Sequence, residues 1–221
     1  MPEHHIAPQM LMEYAAGSLS RPAAMLIATH MTLCKECRSQ GRALEAIGGA
    51  LLEQIPPAEL AESSFDATLA RLDETYEDRV APAHAANLAL VGDHKIVPEP
   101  LRSAIGEVPI RLRWRRLGIG LQEIVLPGSD GEIRASLMKI SPGAAMPRHT
   151  HRGTELTLVL AGGFSDATGH YQRGDIILAD GKINHQPIAD RQGECLCFAV
   201  VDGGIRLSGA FGRIANLMLR L

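Results

Sequence analysis

His149, His151 and Glu155 stand within seven residues of one another, immediately before an apolar run with strand character. In extended backbone the side chains alternate between two faces, so imidazoles separated by one residue point the same way. Glu155 follows Arg152, Gly153 and Thr154, where Gly153 can relieve a bend and let the carboxylate swing back towards the imidazoles. Two histidines and a carboxylate on a rigid β framework form a facial set that suits Zn, Mn or Fe(II). His-x-His alone is common in solvated turns, so the wider spacing has to carry the argument.

That spacing runs from Gly143 through five residues to His149, one to His151, three to Glu155 and six to Gly162. It is the pattern of the first cupin motif. The second cupin motif is expected to bring a fourth ligand from a later hairpin, and it starts at Gly174, with His185 eleven residues on. Asp180, Lys182 and Ala189 depart from that motif, where Pro, Gly and Asn are usual. These positions shape the turn and do not ligate.

A second set of ligand types lies near the N-terminus. The run PAAMLIATHMTLCKECRSQ reads as one helix with no glycine before Gly41, and it carries His30, Cys34 and Cys37. Offsets of four and three put these three on one helical stripe. They form a zinc edge that lacks its fourth member. His4 and His5 stand just before the first helix, and either could close the tetrahedron if that helix packs back antiparallel.

Around these residues the chain divides by pattern. Residues 8–16 read as a helix stopped at Gly17, residues 43–55 as a third helix ended by Pro56-Pro57, and residues 59–78 as a fourth, amphipathic one. Residues 79–99 mix Ala, Pro and charges without a sustained period, and read as a linker containing His84 and His94, neither expected to ligate. From residue 100 to 221, strand-like runs alternate with Gly, Pro and Asp turns, which predicts an antiparallel barrel or jelly roll. The expected class is α+β: a small four-helix zinc-binding domain over 1–78, then a β-barrel domain over 100–221. Cys195 and Cys197 share a face of one strand; they are either small packing residues or a pair that oxidises on demand.

Composition narrows the function. With 46% hydrophobic residues the chain can build ordinary cores, and it has no apolar run long enough to span a membrane. The N-terminus lacks the pattern of a secretory signal, so the expected location is cytoplasmic, where four cysteines serve as ligands or redox groups more readily than as disulfides. Residues 1–78 contain 12 acidic and 5 basic residues, whereas the rest contains 13 acidic and 17 basic. An acidic N-terminal part is a poor partner for nucleic acid and a plausible one for a basic, DNA-binding protein.

The ordered pair of motifs, with the phrases EYAAGSLS, ATHMTLCKECR, HTHRGTELTLVLAG and ECLCFAV, resembles the ChrR family of zinc-binding anti-sigma factors over essentially the whole chain. The resemblance implies zinc held by His5, His30, Cys34 and Cys37, and a second metal, zinc or another divalent ion such as Mn or Fe, held by His149, His151, Glu155 and His185. It implies a helical domain that binds and inhibits an extracytoplasmic-function sigma factor, without direct nucleic-acid binding. The cupin domain would mediate release under singlet oxygen or organic hydroperoxide. The competing expectation is a metal-dependent cupin enzyme, of dioxygenase or isomerase type, carrying an accessory helical zinc domain.

Overall fold

The computed structural model describes residues 1–72, 83–91, 95–108, 110–126 and 133–208. Short helices come first. Helix α1 (Pro8–Ala15) has its proline in the first turn, and the chain leaves it through Gly17 at φ +67°. Helix α2 (Arg21–Leu33) starts after Ser20, again with proline in the first turn, and buries Leu26, Ile27, Thr29 and His30. Helices α3 (Lys35–Leu52) and α4 (Ser64–Leu72) follow. No helix among the described residues is long and apolar enough to cross a membrane.

The single helix expected up to Gly41 is in fact two. Cys34 has extended backbone (φ −111°, ψ 108°), and its Sγ accepts the Cys37 N–H at 3.4 Å. A sulfur therefore does what a Ser or Asp oxygen does at an ordinary helix start, and α3 begins one residue later. Gly41 does not stop a helix. It lies inside α3, where an added Cβ would stand 3.0 Å from Met31 Sδ, so it lets the end of α2 approach closely. The fourth helix begins at Ser64 instead of Glu59, and residues 73–78 lie outside the described residues.

Residues 79–99 do not read as the irregular connection expected. They contain α5 (Ala83–Val91), and α6 (Glu99–Gly106) follows. Asn87 is fully buried, donating to the carbonyls of Val108 and Ile110 and accepting the Leu112 N–H at 2.8 Å. One side chain thus fastens α5 to the backbone that enters the sheet. The side chain of His84, His94, and the expected final element over 209–221 lie outside the described residues.

The strands are β1 (Arg115–Gly118), β2 (Leu121–Val125), β3 (Ile133–Ile140), β4 (His149–His151), β5 (Thr154–Ala161), β6 (Gly163–Asp166), β7 (Gly169–Gln172), β8 (Ile176–Asp180), β9 (Ile188–Ala189), β10 (Cys195–Asp202) and β11 (Ile205–Leu207). They pair antiparallel in three sheets, ordered β1-β2-β3-β10-β5-β8, β11-β4 and β7-β6-β9, which gives the expected antiparallel barrel.

Strand β10 is apolar on both faces and β5 on one, with Glu155 and Thr157 on its other, and alternation sorts the faces. Leu156, Leu158 and Leu160, with Leu196, Phe198 and Val200, join Leu26, Ile27, Leu101 and Ile105 in one core. Val159, Cys195 and Cys197 face inward with Phe164 and Tyr171 in a second core. Helix α2 lies across β3, β5 and β10, so the helices cover one face of the sheet and the barrel lumen covers the other. Because this core is shared, Ile27→Ala is expected to cost about 2–5 kcal/mol. Helical circular dichroism and the fluorescence of Trp114, which packs on the same core, should then be lost in one transition at a lower temperature. Two separated transitions would contradict a shared core.

Candidate metal centres

In the barrel, backbone pairing alone brings four side chains to one point. Strand β4 places His149 and His151 on one face, and it is held by β11 through Leu207 and Ile205. His149 also exchanges both backbone hydrogen bonds with His185, N to O at 3.0 Å each way, which fixes the later loop against β4. Glu155 enters from β5, flanked by Val201 of β10 and Ala179 of β8. Gly153 lies between the two strands, and a Cβ there would stand 2.7 Å from the Asp202 carbonyl, so the bend back to Glu155 has room only for glycine. In the loop before His185, Asp180 Oδ1 accepts the Lys182 N–H at 2.9 Å, an Asx-type contact that steadies the turn.

The four tips converge. The Nε2 atom of His185 lies 3.1 Å from that of His149 and 3.2 Å from that of His151, and Glu155 Oε2 lies 3.0 Å from His151 Nε2 and 3.8 Å from His149 Nε2. Tetrahedral donors about 2.0–2.1 Å from a Zn²⁺ ion stand roughly 3.3 Å apart, so these separations fit a metal. Glu155 Oε2 is buried and makes no hydrogen bond, as a donor atom reserved for a cation would be. Two of the other ring nitrogens are committed elsewhere: His149 Nδ1 donates to the Pro147 carbonyl at 2.7 Å, and His185 Nδ1 to Asp166 Oδ2 at 2.9 Å, while His151 Nδ1 is buried without a partner. The Nε2 atoms of His149 and His185 are thereby left with their lone pairs facing the common point.

The charges obey the same geometry. Burial would raise Glu155, but the His149 and His151 rings beside it hold its carboxyl well below the usual range. Burial would lower His149, and Glu155 with the Pro147 carbonyl outweighs it and raises the ring. His185 is lowered by burial in spite of Asp166. Asp166 is itself held low, because hydrogen bonds from Thr168 and His185 overcome the cost of its burial.

The helical cluster is built from the chain break at Cys34. His5 Nδ1 lies 3.3 Å from Cys34 Sγ and 3.6 Å from Cys37 Sγ, and with His30 the four donor atoms fall within 4.8 Å of one another. His30 is fully buried; its Nδ1 donates to the Gly174 carbonyl at 2.8 Å, while its Nε2 is buried without a partner. Burial pushes His30 down to about 4 and the Cys37 thiol up to about 11. The ring is therefore neutral at pH 7, and the thiol keeps its proton unless a bound cation displaces it to solvent. A His2Cys2 set of this kind suits zinc. The structure brings in His5, not His4, whose ring packs on Tyr171 at 4.5 Å.

Cys195 and Cys197 are free and buried, with Sγ atoms 3.5 Å apart. Hydrogen bonding to Cys195 and burial raise Cys197 well above an ordinary thiol. Cys197 lines a cavity of about 30 Å³ together with Glu155, His185, Met138, Met146 and Phe164. Asp166 holds the His185 ring and the Gly174 carbonyl the His30 ring; motif spacing marks Gly174 but shows neither contact. Asp166 lies in a Gly/Asp turn run, which signals a turn and nothing more.

Residues 108–202 match the family model described as the ChrR cupin-like domain. The anti-sigma-E factor ChrR of Cereibacter sphaeroides is 39% identical over 218 residues, 99% of this chain and 98% of that protein. The chain belongs to the ChrR family. A chain in the crystal structure of Rhodobacter sphaeroides SigE in complex with the anti-sigma ChrR is 40% identical. The match covers 91% of this chain and 100% of that one at a TM-score of 0.75. An RmlC-like cupin from Ralstonia eutropha JMP134 matches 45% of this chain and 69% of its own at 18% identity and TM-score 0.40, too distant to argue from.

Within this ChrR-family chain the two clusters differ in donor chemistry, so they are separable. Elemental analysis of purified protein should show that Cys34→Ser with Cys37→Ser removes one metal while His149→Ala with His151→Ala removes the other. Zinc added to stripped protein at pH 7 should release at least the proton of Cys37, and none from His30, which is already neutral. Calorimetry in buffers of different ionisation enthalpy measures this; binding without proton release would contradict the thiol assignment.

Proposed function

We propose that this chain is an anti-sigma factor whose helical part, residues 1–78, binds an extracytoplasmic-function sigma factor in the cytoplasm. The observation that carries the reading is a set of large apolar side chains left exposed among the described residues. Ile47, Leu51 and Leu52 of α3, then Ile55 and Leu60, then Phe65, Leu69 and Leu72 of α4 are all exposed, and α4 buries no residue. A helix of nine residues is marginal alone in water, so such side chains call for a partner. The full-length likeness to a chain solved with SigE supplies the partner class. Zinc held by His5, His30, Cys34 and Cys37 would tie the N-terminal segment to the α2–α3 junction and so set the direction in which α3 and α4 project.

The test uses the full chain and its cognate sigma factor. Phe65→Ala and Leu69→Ala, exposed and without a role in the cores, should each weaken the complex about tenfold or more, as truncated interface anchors do, and leave metal content unchanged. Unaltered affinity in both variants would remove these side chains from the reading.

The barrel is proposed as the part that senses oxidative stress, singlet oxygen or an organic hydroperoxide. A divalent metal, zinc, Mn or Fe, bound by His149, His151, Glu155 and His185 would hold β4, β5 and the His185 loop together as one unit. The adjoining cavity of about 30 Å³ has room for something near the size of a water molecule, which suits singlet oxygen, whereas an organic hydroperoxide would have to act from its edge. His151→Ala or Glu155→Ala should leave sigma binding largely intact and abolish release under stress, read by a sigma-dependent reporter in cells. Cys195→Ser and Cys197→Ser divide the rest: a lost response makes the pair participants, and a normal response returns them to packing. Full induction in the ligand variants would place sensing outside the barrel.

A further inference from the structure

The turn over residues 172–175, between β7 and β8, belongs to the barrel but touches the helical cluster at His30 and the segment just before His5. The Gly174 carbonyl receives the His30 Nδ1 hydrogen at 2.8 Å in a buried contact. Asp175, whose side chain is 1% exposed, accepts the backbone N–H groups of Glu3 at 2.7 Å and His4 at 3.0 Å through one oxygen. Its other oxygen accepts the Gln172 N–H at 2.9 Å and lies 3.4 Å from His4 Nδ1. Those backbone hydrogen bonds offset its burial and hold the carboxyl below the usual range, so it is charged at neutral pH. Gly174 has φ +93°, and a Cβ there would stand 2.7 Å from Pro2 Cγ, so the N-terminal segment lies directly on the turn.

We propose that this turn positions the helical metal site, Gly174 by orienting the His30 ring and Asp175 by pinning the segment that carries His5. The site is then shared between the two parts of the chain. Strand β8, five residues long, joins the turn to the loop that carries His185, so the two clusters are connected by one short strand. The proposal rests on His5, His30, Cys34 and Cys37 holding a metal, and its test is independent of sigma binding.

The test titrates stripped full-length protein with Co(II). Thiolate-to-cobalt charge transfer reports the helical site alone, because the barrel set contains no sulfur. Asp175→Ala should lower cobalt affinity at that site about 10–100-fold, as loss of a ligand's supporting partner does, and shift its ligand-field bands, with cobalt in the barrel site unchanged. Glu3→Pro deletes one clamped N–H and no barrel residue, and should act in the same direction with smaller size. If Asp175→Ala also loses the barrel cobalt, it has not folded, and Glu3→Pro decides. Wild-type affinity and spectrum in a folded variant would overturn the positioning role. A wild-type protein without the thiolate band would overturn the metal assignment and the proposal with it.

Discussion

Lone pairs pointed at one another in a buried space repel unless a cation lies between them, and this constraint governs the molecule twice. In the barrel, three Nε2 atoms and one carboxylate oxygen meet, with the Nδ1 atoms of His149 and His185 bonded to Pro147 and Asp166. In the helical part, a buried imidazole nitrogen without a partner faces two sulfurs and a second imidazole. Burying such groups unpaired costs several kcal/mol, whereas coordination turns the same groups into cross-links. Each cluster thus behaves as a folding element whose strength depends on what occupies it.

The rest of the architecture follows from delivering these tips. A barrel ligand set drawn from β4, β5 and a loop before β9 needs three backbone segments in fixed register, and the mutual hydrogen bonds of His149 and His185 supply the closest of these. The helical set needs a chain break within three residues of Cys37, and the Cys34 sulfur makes it by capping α3. Strands β5 and β10 serve both needs, with one face toward the barrel ligands and the other under α2. Few side chains in the centre are free to move without being felt on both sides, because packed interiors transmit displacement poorly by compression and well by shift.

Some of this was legible in the sequence and some was not, for identifiable reasons. The barrel ligands could be read because strand alternation and hairpin spacing are local, and His149, His151, Glu155 and His185 do meet. The helical ligands could be read as residue types at helical offsets, but the break at Cys34 could not, since a sulfur cap leaves no trace in an apolar period. Helix α5 was taken for linker because its run of Ala, Leu and Val has almost no polar face to mark a period, and Asn87 shows its purpose only through partners more than twenty residues on. Asp166 and Asp175 resemble ordinary turn aspartates, and their contacts with His185 and the N-terminal segment are set by tertiary packing alone.

A metal in the helical part is the proposed condition for presenting the exposed apolar side chains to a sigma factor, with the barrel braced against that part. This central claim is tested most directly by measuring the affinity of the full-length chain for its cognate sigma factor, zinc-loaded and zinc-stripped, side by side. The account predicts a stable complex with the zinc-loaded protein and a large loss on stripping that zinc alone restores. A zinc-loaded, folded protein with no affinity for the sigma factor, or equal affinity in both forms, would contradict it.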